Sequence, residues 1–245
     1  MNEARDTTMS QAQIQIPTEV DLALLGRIEI HWDYHAYLMV FVWLFLVPLC
    51  ILIIRFGKPK PKPGGLKRKV AIYHSEWWWF STHKWGLYLA MSLSLIGGII
   101  AIVVSQGFSG SVHAIFGILT ITLGIIQVIA GWSRGSHGGK NYHTADPNDP
   151  DTWFGDHYNM TTRRRIFEAY HKNAGYIAGF CAVAAVASGL MQYPIPGLAI
   201  LIVFLILLVL AVAAVLDYKG LKHDGYRAAH GNDPEHPFNV ERKDL

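Results

Sequence analysis

Residues 77–103 read WWWFSTHKWGLYLAMSLSLIGGIIAIV, an apolar run with a histidine, His83, where it begins. Roughly 20 mostly apolar residues span the hydrocarbon core of a bilayer. An ionisable side chain at such depth is rare and usually faces a partner or a bound group inside the protein. Four more segments share this character, so the expected spans are 35–56, 83–104, 113–132, 173–191 and 195–217. Of the 245 residues, 51% are hydrophobic and only 16% charged, and the apolar ones come in blocks rather than alternating. One small soluble core cannot bury five such runs. The chain therefore reads as an all-α integral membrane protein with five transmembrane helices, because helices satisfy their own backbone hydrogen bonds in lipid.

Lysine and arginine placement sets the expected orientation. With the N terminus outside, 19 of the 21 basic residues fall on the cytoplasmic side, leaving only Arg5 and Arg27 outside. The net charge of +3 then follows from topology and gives no reason to invoke nucleic acid. A plasma or inner membrane is the expected location, with the C terminus cytoplasmic. The first 30 residues lack the basic start, short apolar stretch and cleavage site of a secretory signal. Cys50 and Cys181 lie in different spans and read as packing residues, with neither a disulfide framework nor a C-x-x-C-H haem attachment motif.

Residues 1–34 read as an outer tail, in which EVDLALLGRIEIHW (19–32) is expected to form a short amphipathic helix on the membrane surface. GKPKPKPGGLKRK (57–69) cannot be regular helix, given its prolines and glycines, and its charge pins it to the cytoplasm. The long inner loop over 133–165 reads as turns and irregular structure, and its Asn159-Met160-Thr161 sequon is expected to stay unmodified there. SQGFSGS (105–111) and QYPIPG (192–197) are short outer connections, and 218–245 is a cytoplasmic tail. No internal repeat is visible.

The first four spans each begin with a histidine: His35, His83, His113 and His171. The fifth has none. Successive helices run in opposite directions, so His35 and His113 share the outer level while His83 and His171 share the inner one. In an antiparallel bundle the first and third helices are diagonal neighbours, as are the second and fourth. Two imidazoles facing each other across a bundle core suit a six-coordinate haem iron. A lone histidine would read as an ordinary interfacial residue, but four at two matched depths argue for a cofactor. A bare metal ion fits less well, since zinc wants three or four ligands at one level.

Gly117 follows His113 by four positions and Gly175 follows His171 by four, on the same helix face, which clears room for a macrocycle edge. Gly86, three after His83, is expected to do the same, while Met39 takes that place in the first helix. Gly175-x-x-x-Gly179 also has the spacing of close helix packing. Lys84, Arg134 and Lys172, with Arg55 nearby, are candidate partners for haem propionates, or for an anionic donor, or simply follow the positive-inside rule. His137, His143, Asp146 and His157 share the inner loop, match no defined metal spacing, and read as solvated loop residues. HGNDPEHPFN (230–239) is expected to fold against the inner surface.

The pattern resembles the cytochrome b561 family, and most of all the b561 domain of ferric-reductase-like proteins. In HAYLMVFVWLFLVPLCILIIRF the resemblance rests on His35, Met39, Trp43, Pro48 and Arg55. WFSTH (79–83) is similar to that family's aromatic pair before a histidine. HAIFGILTITLGIIQVIAGWSR carries His113, Gly117, Gln127 and Arg134, and YHKNAGY carries His171 and Gly175. The resemblance covers 35–217 and favours His35 over the nearby His31. It implies a di-haem four-helix bundle made by the first four helices, holding two haem b groups through His35 with His113 and His83 with His171. It also implies transmembrane electron transfer, from ascorbate or quinol to an outer acceptor such as ferric iron.

The expected partners are membrane lipid, these donors and acceptors, a redox partner protein, and a second copy of the chain in a homodimer. Two other functions stand beside this one. One is a haem-b membrane subunit linking the quinone pool to a partner redox enzyme. The other is a non-redox scaffold or transporter whose histidines carry protons or bind metal.

Overall fold

A computed structural model describes residues 17–24, 26–67 and 75–240. Five helices are long and apolar enough to cross a membrane: α1 Trp32–Phe56, α2 Trp78–Val104, α3 Val112–Trp132, α4 Thr162–Gln192 and α5 Leu198–Tyr218. Two short helices follow, α6 Gly225–His230 and α7 Pro237–Val240.

The helix boundaries have local causes. The Ser111 hydroxyl accepts from the Ala114 amide at the start of α3, and the Thr161 hydroxyl accepts from Arg164 at the start of α4. Gly197, at φ +79°, supplies the left-handed turn into α5. Inside α1, residues Phe41–Leu46 form a π-helical turn just ahead of Pro48. Proline has no amide proton and crowds the carbonyl four residues before it, and the wider turn absorbs both effects.

α4 is longer than expected. It begins at Thr162, so His171 lies nine residues inside the helix rather than at its start. Its 31 residues rise about 46 Å against a hydrocarbon core of about 30 Å. The extra turns are polar, held by the Thr161 cap and by an Arg164–Glu168 pair at 2.8 Å one turn apart. Hydropathy alone cannot see them.

The N-terminal segment is also corrected. In place of the expected amphipathic helix, Glu19–Leu22 (β1) pairs antiparallel with Gly26–Glu29 (β2), with Val20 opposite Ile28. The stretch alternates Val20, Leu22 and Ile28, Ile30 with polar residues, a period of two that suits strands. Gly26, at φ +71°, closes the turn. The Trp32 indole donates to the Pro17 carbonyl at 2.7 Å and ties the hairpin to α1.

α1 packs along α2, and α3 packs most closely of all along α4; α2 also meets α3, and α1 meets α4. The four helices thus close a ring with α1 opposite α3 and α2 opposite α4. α5 lies outside it, against α1, where Leu198 is buried with Val40 and Leu44. Phe204, Leu207 and Leu210 of α5 remain exposed, as a lipid-facing surface requires. The centre of the ring is filled by Val42, Trp43, Ala90, Met91 and Ala182, with Ile121 and Val128 against them. Lipid gives apolar helices no hydrophobic reason to associate, so close van der Waals contact must hold them. Accordingly Gly86 meets the Cys50 side chain, Gly97 meets Met39, and Gly124 meets Met91.

At the opposite end from the hairpin, three segments outside the spans fold together into a polar cap. The Leu66 amide donates to Ala229 at 3.0 Å, and the Asn141 amide donates to the Gly64 carbonyl at 2.8 Å. The Tyr226 hydroxyl donates to the Tyr158 carbonyl at 2.7 Å. The long loop is irregular, as expected, apart from a 3-10 turn at Pro150–Trp153.

Candidate functional site

The four span histidines are each anchored by the neighbouring helix. The His83 ring contacts the Cys50 carbonyl through Nδ1 at 3.1 Å, and the His113 ring contacts the Ala185 carbonyl through Nδ1 at 2.8 Å. The His35 ring bonds the backbone at Gly97. Gln127, with its amide nitrogen turned toward His171, reaches the His171 Nδ1 at 2.6 Å and its carbonyl at 3.1 Å, while its oxygen accepts from Gly175 at 3.0 Å.

These contacts form a reciprocal pattern. Cys50 follows His35 by 15 residues, Gly97 follows His83 by 14, Gln127 follows His113 by 14, and Ala185 follows His171 by 14. Four helical turns return to the same face and rise about 21 Å. Each helix therefore carries one histidine and, four turns on, the group that fixes its neighbour's histidine. α1 and α2 anchor each other, and so do α3 and α4. Two helical hairpins of the same design face one another, a repeat that no residue-by-residue similarity reveals.

Across the ring, His35 and His113 approach with ring centroids 6.2 Å apart and planes at 87°. His171 lies within electrostatic reach of His83. His31 is exposed, with its ring 5.6 Å from Tyr34, and is not part of either pair. The expected haem can be tested against this geometry. Two metal–nitrogen bonds of about 2.0 Å, plus the offset of each nitrogen from its ring centre, come to roughly 6 Å. An Nδ1 tied to a backbone carbonyl leaves Nε2 as the ligand atom, the usual arrangement for a metal-binding histidine. A Cβ added at Gly117, Gly175 or Gly179 would meet no atom within 4 Å. These three glycines therefore make no close packing contact, and that clearance with the His35–His113 spacing is compatible with a flat macrocycle.

Gly86 does not belong with them. It is a close contact of α2 with Cys50 rather than clearance beside His83. Gly189, in contrast, emerges as a site residue, since a Cβ there would lie 2.7 Å from the His113 Nδ1. Gly189→Val is expected to push the His113 ring off Ala185 and, if His113 is one of four haem-binding histidines, roughly halve haem retention while leaving the protein monodisperse. Pyridine haemochrome assay of the purified variant checks this; full retention would contradict it. Gly97 and Ala185 are not legible in the sequence because backbone carbonyls carry no side-chain signature, and Gly189 because its close approach to His113 comes from a different helix.

The candidate propionate partners Lys84, Arg134 and Arg55 lie on the cap-side halves of their helices or just beyond them, each against an aromatic ring. The Lys84 ammonium lies 4.7 Å from the Trp85 ring, the Arg134 guanidinium 4.6 Å from Phe80, and the Arg55 guanidinium 5.5 Å from Phe56. Lys172 is exposed one residue after His171.

The loop histidines require a correction. His137 and His157 are not solvated singly but gather with His230 from the C-terminal segment, their ligand atoms all within 4.8 Å of one another. His143 and Asp146 stay outside that cluster and are exposed. Burial, with His236 and Arg164 nearby, lowers the His230 pKa to about 3. Asp156 is held below the usual carboxylate range by the Ser136 amide and by the Thr161 and Ser136 hydroxyls. No family model, curated protein or solved structure matches the chain.

Proposed function

We propose that the chain is a transmembrane electron conduit of the cytochrome b561 type, with α1–α4 forming a four-helix bundle for two b-type haems. His35 with His113 would hold one, and His83 with His171 the other. Held there by two histidines each, the haems would supply one-electron couples suited to electron transfer rather than to oxygen activation. The observation that carries this reading is the reciprocal anchoring of four histidines at two levels, with His35 and His113 6.2 Å apart.

The other residues have definite tasks in it. Carbonyls of Cys50 and Ala185 orient the rings and fix their tautomers. Trp43, Met91, Val42 and Ala182 fill the centre between the levels and exclude water from it. Gly117 and Gly175 leave space beside their histidines. Lys84, Arg134 and Arg55 place positive charge at the cap end, where it compensates haem carboxylates and draws an anionic donor.

By the positive-inside rule the cap is cytoplasmic and the hairpin faces outward, in a plasma or inner membrane. Electrons then pass from ascorbate or quinol at the cap side to an outer acceptor such as a ferric chelate. The test is reconstitution into liposomes loaded with ascorbate, with a membrane-impermeant ferric chelate outside. Reduction of the outer chelate that depends on the protein supports the reading. No reduction with either ascorbate or a quinol as donor would sink it.

A further inference from the structure

The cap contains a second constellation that this electron path does not use. His137 lies just after α3, His157 just before α4, and His230 ends α6, so three segments distant in sequence deliver one imidazole each. The first two are set side by side by backbone pairing. The His157 amide donates to the Ser136 carbonyl and the Tyr158 amide to the His137 carbonyl, both at 3.0 Å. Asp156 clamps the same junction, accepting from the Ser136 amide at 2.8 Å and from the Thr161 hydroxyl at 2.8 Å. Gly139, at φ +86°, admits the third ring, since a Cβ there would lie 2.7 Å from the His230 Nδ1.

The nitrogens converge. The His157 Nδ1 is 3.1 Å from the His230 Nε2 and 3.3 Å from the His137 Nδ1. A neutral imidazole nitrogen offers one proton or one lone pair, so this atom must serve two ring neighbours with a single group. A tetrahedral cation with bonds of about 2.0–2.1 Å spaces its ligand nitrogens about 3.3–3.4 Å apart and engages every lone pair at once. On the far side of the His157 ring, Nε2 points toward the Glu168 carboxylate 3.9 Å away, the outer partner that metal-bound histidines commonly have. His157 itself is buried. A cavity of about 560 Å³, lined by His137 and His230 with Asn141 and Tyr158, gives room for a water or small anion as a further ligand.

We propose that His137, His157 and His230 bind one divalent transition-metal ion of the imidazole-preferring class, for which zinc is the probe. The ion staples the C-terminal segment to the long loop over the cap end of the helices. The site is independent of haem and stands or falls separately from it.

The test uses the full chain in detergent, with any affinity tag removed, stripped by chelator, loaded with zinc chloride and desalted. Elemental analysis is expected to give one zinc per chain. X-ray absorption at the zinc edge is expected to show three imidazoles with nitrogen at about 2.0 Å. His230→Gln and His137→Gln should each weaken zinc binding by more than about tenfold, with haem content and elution volume unchanged. His143→Gln, in the same loop but outside the cluster, should bind as the parent does. Zinc retention no greater than that of the His137→Gln/His157→Gln/His230→Gln variant would overturn the proposal. So would a zinc shell without imidazole nitrogen, since the three rings would then be a hydrogen-bonded cluster only.

Discussion

Replacing His113 with alanine is expected to halve the haem content of the purified protein and abolish transmembrane reduction of an outer ferric chelate. His113 is the partner of His35 at the hairpin end, and its Nδ1 is fixed 2.8 Å from the Ala185 carbonyl. If the proposed pairing holds, alanine would remove one of the two iron-binding imidazoles at that level and leave the His83 and His171 level, about 21 Å away along the helices, untouched. The residual haem should keep a low-spin spectrum, because its own two ligands remain. His31→Ala is the matched control, being exposed and outside both pairs, and it should keep both haems. Full haem content in the His113 variant would overturn the pairing, and loss of both haems would show that the levels are not independent.

Gly117→Leu and Gly175→Leu give the second large effect, and they separate two explanations by sign. A Cβ at either position meets nothing within 4 Å. If the glycines were merely tolerated, leucine should be harmless or favourable, since glycine costs about 0.8–1 kcal/mol relative to alanine in a helix and leucine much less. If they clear space for a macrocycle, each leucine should abolish haem binding at its own level and spare the other. The expected result is one haem per chain for each single variant and none for the double, with the thermal stability of haem-free protein unchanged or raised. Two haems retained in both single variants would remove the clearance argument. Gly86→Leu is a different experiment, because that glycine touches Cys50, and it should destabilise the α1–α2 contact.

Several features were legible before any coordinates. Length and hydropathy located five helices, because a bilayer demands long apolar runs and little else produces them. The alternation of helix direction pairs His35 with His113, whose ring centroids lie 6.2 Å apart, and His83 with His171, which lie within electrostatic reach of each other. Features depending on non-local contact were not legible. The polar turns of α4 look like loop until the Thr161 cap and the Arg164–Glu168 pair are seen. The 19–29 segment can satisfy a surface helix or a hairpin, and the left-handed Gly26 turn decides for the hairpin. His230 lies 73 residues beyond His157 in the chain, so no local spacing motif could join it to the loop histidines. Backbone anchors such as the Ala185 carbonyl are invisible in principle to a reading of side chains.

The central claim is that two pairs of histidines each hold a haem. Its most direct test is a haem count on the detergent-purified protein from haem-replete cells, with a reduced-minus-oxidised spectrum. The account predicts two b-type, low-spin, reducible haems per chain. A colourless preparation that is folded and monodisperse would contradict it.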